Sequence, residues 1–206
     1  MLTSVPPVTR ALIIVCVAMF GIELAVGGEL IAYLALWPIG TPPAYTGALG
    51  FQPWQVITYG FLHSGFGHLA FNMLALYMFG KDIEQAIGSQ RFFNLYFVSV
   101  IAAGITQLVF AAVAGGAPYP TVGASGGVFG VLLAFAVFFP RRIIMLLIPP
   151  IPMPARVLVL IYGLLELYLG VTGTQQGVAH FAHLGGMLGA WLLITYWRSL
   201  PPARRG

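Results

Sequence analysis

Charge is what this sequence has least of. Only 7% of its 206 residues are Asp, Glu, Lys or Arg, whereas a soluble domain carries about 25%. That scarcity excludes a surface built for water. There is one cysteine, Cys16, inside the first apolar run, so an internal disulfide is excluded and a packed thiol is the simplest reading. The sequence has no convincing internal repeat and no low-complexity tail beyond the basic "PPARRG". Its length leaves no room for a separate soluble module, and residues 1–206 read as one domain. The formal charge of +4 comes from basic residues in loops and ends. In such a chain they report membrane topology rather than binding to nucleic acid.

What is present is hydrocarbon: 59% of residues are hydrophobic, in long runs with short gaps. This predicts an all-α polytopic membrane protein, because an open strand edge cannot exist in lipid. Six spans are expected, at 11–37, 63–79, 92–114, 125–139, 155–171 and 178–197. The first run is longer than a signal-peptide core, starts after Arg10 and precedes five more, so it is read as a retained span. With six spans, Arg10, Lys81, Arg91, Arg141, Arg142, Arg156, Arg198, Arg204 and Arg205 all fall on the side of the termini. This places both termini in the cytoplasm. Compact size and the absence of a targeting extension favour a bacterial inner membrane. The outer loop Pro38–Leu62 reads equally as a connector or as a segment lying partly in the bilayer, with Trp37, Tyr45 and Trp54 suited to the interface. The inner loop "LIPPIPMP" stops the helices on either side through its prolines.

One stretch, "TVGASGGVFG", sets Ser125 among four glycines. It is either helix packing or a nucleophile held where backbones come close. Sixteen steps separate Ser125 from Arg141, about 24 Å of helix. With the arginines at the cytoplasmic interface of an apolar layer about 30 Å thick, Ser125 lies below the outer surface. His183 is fifteen steps from Arg198, about 22 Å, and His68 thirteen from Lys81, about 20 Å, with Asn72 one turn deeper. Polar side chains from three spans thus converge on one level, and intramembrane ionisable groups are functional candidates by default. Gly126-x3-Gly130, Gly185-x3-Gly189 and Gly186-x3-Ala190 would let the fourth and sixth spans approach, bringing Ser125 to His183. A serine beside a histidine base is the minimal activated nucleophile. Ser125 opens its helix, so its backbone N–H and the positive dipole end would face an oxyanion, with Asn72 and His68 as further donors. Asp82 and Glu84 sit at the cytoplasmic end, Glu23 and Glu29 belong to the first span, and no spacing ties Glu166 to the site. A dyad is therefore expected rather than a triad. Glu84 reads as a bond to loop backbone, and Gly80 and Gly88 as turn or packing positions.

These residues resemble the rhomboid family of intramembrane serine proteases. The resemblance rests on "HSGFGHLAFN" (63–72), "GKDIEQAIGSQRF" (80–92), "GASG" (123–126) and "AHLGGMLGA" (182–190), in the expected order over nearly the whole chain. It implies a six-helix bundle of bacterial type, with Ser125 as nucleophile and His183 as general base. Asn72, His68 and the Ser125 N–H would bind the oxyanion. Gly123, Phe129, His63 and His180 would support them. It implies no cofactor and no metal, and single-pass transmembrane proteins as substrates within the bilayer. The sequence departs from the family at Phe129, where many members have a tyrosine stacked on the catalytic histidine. It also departs at His180, where many have another polar residue. Two other readings stay open. One is a metal site using His63, His68, His180 and His183, whose H-x4-H and H-x2-H spacings are imperfect for helical ligands and come without a carboxylate or thiol. The other is a protein that binds membrane clients without cutting them, against which Ser125 and His183 both argue.

Overall fold

The computed structural model describes residues 5–46, 50–115, 117–145, 150–173 and 178–200. The element order is α1 (Pro7–Val26), α2 (Gly28–Leu34), α3 (Pro43–Thr46), α4 (Gln55–Thr58), α5 (Phe66–Ala75), α6 (Lys81–Ile87), α7 (Ser89–Ala114), α8 (Ser125–Phe138), β1 (Ile143–Met145), β2 (Pro152–Pro154), α9 (Ala155–Thr172) and α10 (His180–Ser199). A π-helical turn, Leu76–Gly80, joins α5 to α6 without a break. By length and composition α1, α7 and α9 can each cross a membrane, and α8 is a shorter apolar helix.

The expected spans shift where backbone chemistry intervenes. The first ends at Val26 rather than Trp37, because Gly27 takes φ 71° and its N–H closes on the Glu23 carbonyl. That left-handed conformation is open to glycine at little cost. Trp37 then lies buried at 6% exposure, its indole N–H donating to the Ile31 carbonyl. Tyr45 and Trp54 remain exposed. The second helix starts at Phe66 rather than His63 and runs on through the connector to Ile87. The fourth has 14 residues, about 21 Å, and so is shorter than the apolar layer. The connection after α8 forms an antiparallel pair, Ile143 opposite Pro154, which the proline-rich sequence does not announce. Leu147, Ile148 and Pro149 of that connection lie outside the described residues.

The outer loop is tied down from within. Gln55 is fully buried: its Oε1 accepts from the Trp37 N–H, and its Nε2 donates to the carbonyls of Tyr33 and Gly50. Leu36 and Thr121 exchange two backbone hydrogen bonds.

The core lies where α10 packs on α7 and α8. Glycine makes these contacts possible. A Cβ on Gly186 would collide with the Gly126 carbonyl oxygen, and one on Gly130 with Ser99. One on Gly126 would stand 2.5 Å from the Ala103 Cβ. The expected small-residue seam is therefore divided: Gly186 faces α8, whereas Gly185 and Gly189 face Thr106 and Ala102 of α7.

At the opposite end from the starts of α8 and α10, Glu84 accepts from the Val8 and Thr9 N–H groups and the Thr9 and Ser89 hydroxyls. Arg142 pairs with Asp82 at 2.8 Å, and Arg91 lies over the Trp197 ring. These contacts gather the basic residues near the start of α1, α6, the start of α7, and the ends of α8 and α10. Arg204 and Arg205 lie outside the described residues.

Candidate active site

Ser125 is the first residue of α8 and His183 lies in the first turn of α10. The Gly126–Gly186 backbone contact sets these two starts side by side. Ser125 Oγ stands 2.8 Å from His183 Nε2. The loop before Ser125 is fixed by the Leu36–Thr121 bonds and by the Gly123 N–H donating to the Tyr59 carbonyl, while the Tyr59 hydroxyl donates to the Val100 carbonyl of α7. Gly123 has φ 129°, and a Cβ there would lie 2.6 Å from His68 Cε1. Only glycine meets both conditions.

The other predicted residues fall at different distances from this pair. Phe129 stacks on His183, with ring centroids 4.2 Å apart and planes within 7°. His68 presents its Cε1–Nε2 edge to Gly123, while its Nδ1 is 3.1 Å from the Ser64 hydroxyl. A hydroxyl proton donated to Nδ1 would leave Nε2–H free to donate toward the site. Asn72 is buried, and its amide donates to the His68 carbonyl at 2.9 Å. An amide carries two donor hydrogens, so one remains. A cavity of about 980 Å³ joins Ser125, His183, His68, Asn72, Phe129 and Tyr162.

His63 is not among the residues lining that cavity. Its ring meets His68 edge-on at 5.2 Å, and among the described residues neither of its nitrogens has a partner. The tie to the rest of the fold is its backbone N–H, which donates to the Glu23 carboxylate. His180 makes no contact with Ser125 that would let it replace His183. Its Nδ1 is 2.7 Å from Glu166 Oε2.

Glu166 is the residue that sequence reasoning missed. Its Oε2 also lies 2.9 Å from His183 Nδ1, so a carboxylate does stand behind the histidine, contrary to the expected dyad. The three side chains are all buried. Its facing becomes plain only in the folded α9, where Leu158 and Tyr162 line the cavity and a Cβ on Gly170 would touch His180. Glu166 falls between them in that four-residue stripe, on the same helix face. His180, His183 and Glu166 also form, among the described residues, the group whose ligand atoms lie within 4.8 Å of one another. The carboxylate that the histidine-only metal reading lacked is thus present. However, both Nδ1 atoms converge on one carboxylate oxygen at hydrogen-bond distance, the geometry of two N–H donors sharing an acceptor.

A serine hydroxyl thus meets an imidazole nitrogen at a helix start, in an apolar chain. The Rhomboid domain model covers residues 50–199, well over half of the chain. This chain belongs to the rhomboid family. Among curated rhomboid relatives, Rhomboid protein 1, mitochondrial, of Saccharomyces cerevisiae is 41% identical over 99 residues, covering 48% of this chain and 29% of that protein. Rhomboid protease GluP of Bacillus subtilis is 32% identical over 140 residues, covering 67% of this chain and 25% of that protein. Rhomboid protease GlpG of Yersinia pestis is 27% identical over 205 residues, covering 96% of this chain and 65% of that protein. The chain thus spans less than two-thirds of the length of each of these rhomboid relatives. As a rhomboid it is an integral membrane protein with an all-α membrane domain.

Proposed function

We propose that this chain is an intramembrane serine endopeptidase that cuts single-pass transmembrane proteins within the bilayer. The observation carrying this reading is the 2.8 Å approach of Ser125 Oγ to His183 Nε2 beside a cavity large enough for a peptide segment. In the reaction, Ser125 Oγ attacks the scissile carbonyl carbon and its proton passes to His183 Nε2. The carbonyl oxygen becomes an oxyanion, facing the Ser125 N–H, Asn72 and His68. Collapse breaks the C–N bond, and His183 returns the proton to the leaving amine. A water then attacks the acyl ester, losing its proton to His183. The second product leaves as a carboxylic acid, and the proton on His183 goes back to Ser125 Oγ.

The six helical stretches 7–26, 66–80, 89–114, 125–138, 155–172 and 180–199 form the membrane bundle in this reading, with α6 as the cytoplasmic connector. The gathered basic end faces the cytoplasm, and the site opens toward the outer side of a bacterial inner membrane. Purified protein incubated with a single-pass substrate in detergent tests the activity. Wild type should cleave and take up a fluorophosphonate, and Ser125→Ala should do neither while keeping its fold. Full cleavage by Ser125→Ala would sink the reading.

A further inference from the structure

The structure assigns Glu166 as a positioning residue: one carboxylate oxygen, shared by His183 and His180, that sets the tautomer of the base. This rests on the reading of Ser125 and His183 as nucleophile and base. It begins from an anomaly, a carboxylic acid inside a helix that is otherwise apolar from Val157 to Val171. Such a group in a membrane span needs a partner, and functional sites are where it is usually found. Here it has two. Oε2 of Glu166 lies 2.9 Å from His183 Nδ1 and 2.7 Å from His180 Nδ1. All three residues are 8% exposed or less.

A carboxylate oxygen only accepts, so two donors must face it and each Nδ1 carries hydrogen. For His183 the consequence is direct. In a neutral imidazole with hydrogen on Nδ1, Nε2 is the acceptor, and that nitrogen is the one facing Ser125 Oγ. The opposite tautomer would point an N–H at the hydroxyl and could not take its proton. When the proton does move, the imidazolium forms 2.9 Å from a negative charge in a buried site. An orienting carboxylate stabilises that ion in the same way in soluble serine proteases.

His180 does a second job in this arrangement. Its Nδ1–H holds the same oxygen from the side, which restrains the carboxylate so that it cannot swing away from His183. Its own Nε2 is buried and has no partner among the described residues, so the Nδ1 bond is what anchors the ring. The groups packed around His183 are Glu166 from α9, His180 on its own helix, Ser125 and Phe129 from α8, and His68 of α5 across the cavity. Of these, Glu166 is the acceptor that faces Nδ1.

The test combines kinetics with a spectroscopic signature. Wild-type protein carrying ¹⁵N-histidine in detergent micelles should give two strongly downfield ring N–H protons, both on Nδ1. His180→Ala should remove one and leave the other. Absence of the His183 Nδ1–H signal in wild type would overturn the assignment without any variant having to fold. Glu166→Gln should shift both resonances upfield and lower kcat by about 10²–10⁴-fold. KM should stay within a few-fold, and fluorophosphonate labelling of Ser125 should slow in parallel. Wild-type kcat in Glu166→Gln, or a fall in kcat with both resonances unmoved, would also overturn it. If Ser125→Ala is inactive while Glu166→Gln is unaffected, the protease reading stands and only this inference fails.

Discussion

Phe129 lies flat on His183, ring centroids 4.2 Å apart, and so covers one face of the imidazole whose two nitrogens hold Ser125 and Glu166. With both nitrogens bonded in plane and one face covered, the ring has little freedom to rotate. An aromatic pair of this kind contributes about 0.5–1.5 kcal/mol beyond its buried area. Phe129→Leu keeps the apolar volume and removes the stack. It should slow cleavage about 2- to 10-fold. Phe129→Tyr should stay within a few-fold of wild type, because the ring is retained. Steady-state kcat for a single-pass substrate checks both, and an inert Phe129→Leu would mean that the stack does not position the base.

Asn72 reaches the cavity already committed by one amide hydrogen to the His68 carbonyl. That bond fixes the plane of the amide and aims the remaining hydrogen. Asn72→Ala should therefore cost about 10²–10³-fold in kcat, the usual loss for one oxyanion donor, with a much smaller change in KM. An unchanged kcat would make Asn72 a helix-packing residue and no more.

Helical rise converts residue counts into distance wherever basic residues mark the interface, so the sequence puts Ser125, His183, His68 and Asn72 near one level. All four line the same cavity. Glu166 is hidden at that level, because residue counts give position along the membrane normal and not the face of a helix that a residue occupies. Apart from Glu166, α9 is apolar on every face from Val157 to Val171, so no periodicity in the sequence tells which way Glu166 points. The end of α1 is equally hidden in the sequence: Gly27 and Gly28 stand inside an apolar run, and only the positive φ of Gly27 ends the helix there. The Ile143–Pro154 pairing was hidden because prolines, read as helix stops, also fit the ends of short edge strands.

Gly186 meets the Gly126 carbonyl oxygen, a backbone atom that cannot turn aside as a side chain can. Gly186→Ala should lower stability by about 1–3 kcal/mol, the usual cost of overpacking. It should also separate Ser125 from His183 and reduce activity. Gly28 in α2 is the control, since a Cβ there would meet nothing within 4 Å and its φ is not positive. Gly28→Ala should be neutral or slightly stabilising. Thermal unfolding in detergent, read beside fluorophosphonate labelling, separates the two. Equal melting temperatures for both variants would contradict the tight α8–α10 contact.

Glu84 ties the start of α1 to the α6–α7 corner through four hydrogen bonds. Burial alone would raise its pKa. The bonds from Ser89, Thr9 and Val8 favour the charged form and outweigh burial, so the folded-state value lies below the ordinary 4.5. A group whose pKa is depressed on folding stabilises the fold above its unfolded pKa, and loses that contribution as pH falls through the folded value. The window therefore lies below about pH 4.5, and neutral pH keeps the full contribution. Glu84→Gln can still accept through its carbonyl oxygen, but it loses the charge that strengthens every bond. A hydrogen bond to a charged group contributes about 1.5–3 kcal/mol, so Glu84→Gln should be destabilised by at least about 2 kcal/mol at pH 7. Its stability should then fall less steeply than wild type between pH 5 and pH 3, because one titrating group is gone. Denaturant or thermal midpoints measured across that range in one detergent provide the comparison. Parallel curves for the two proteins would mean that the α1 corner is held by packing rather than by the Glu84 charge.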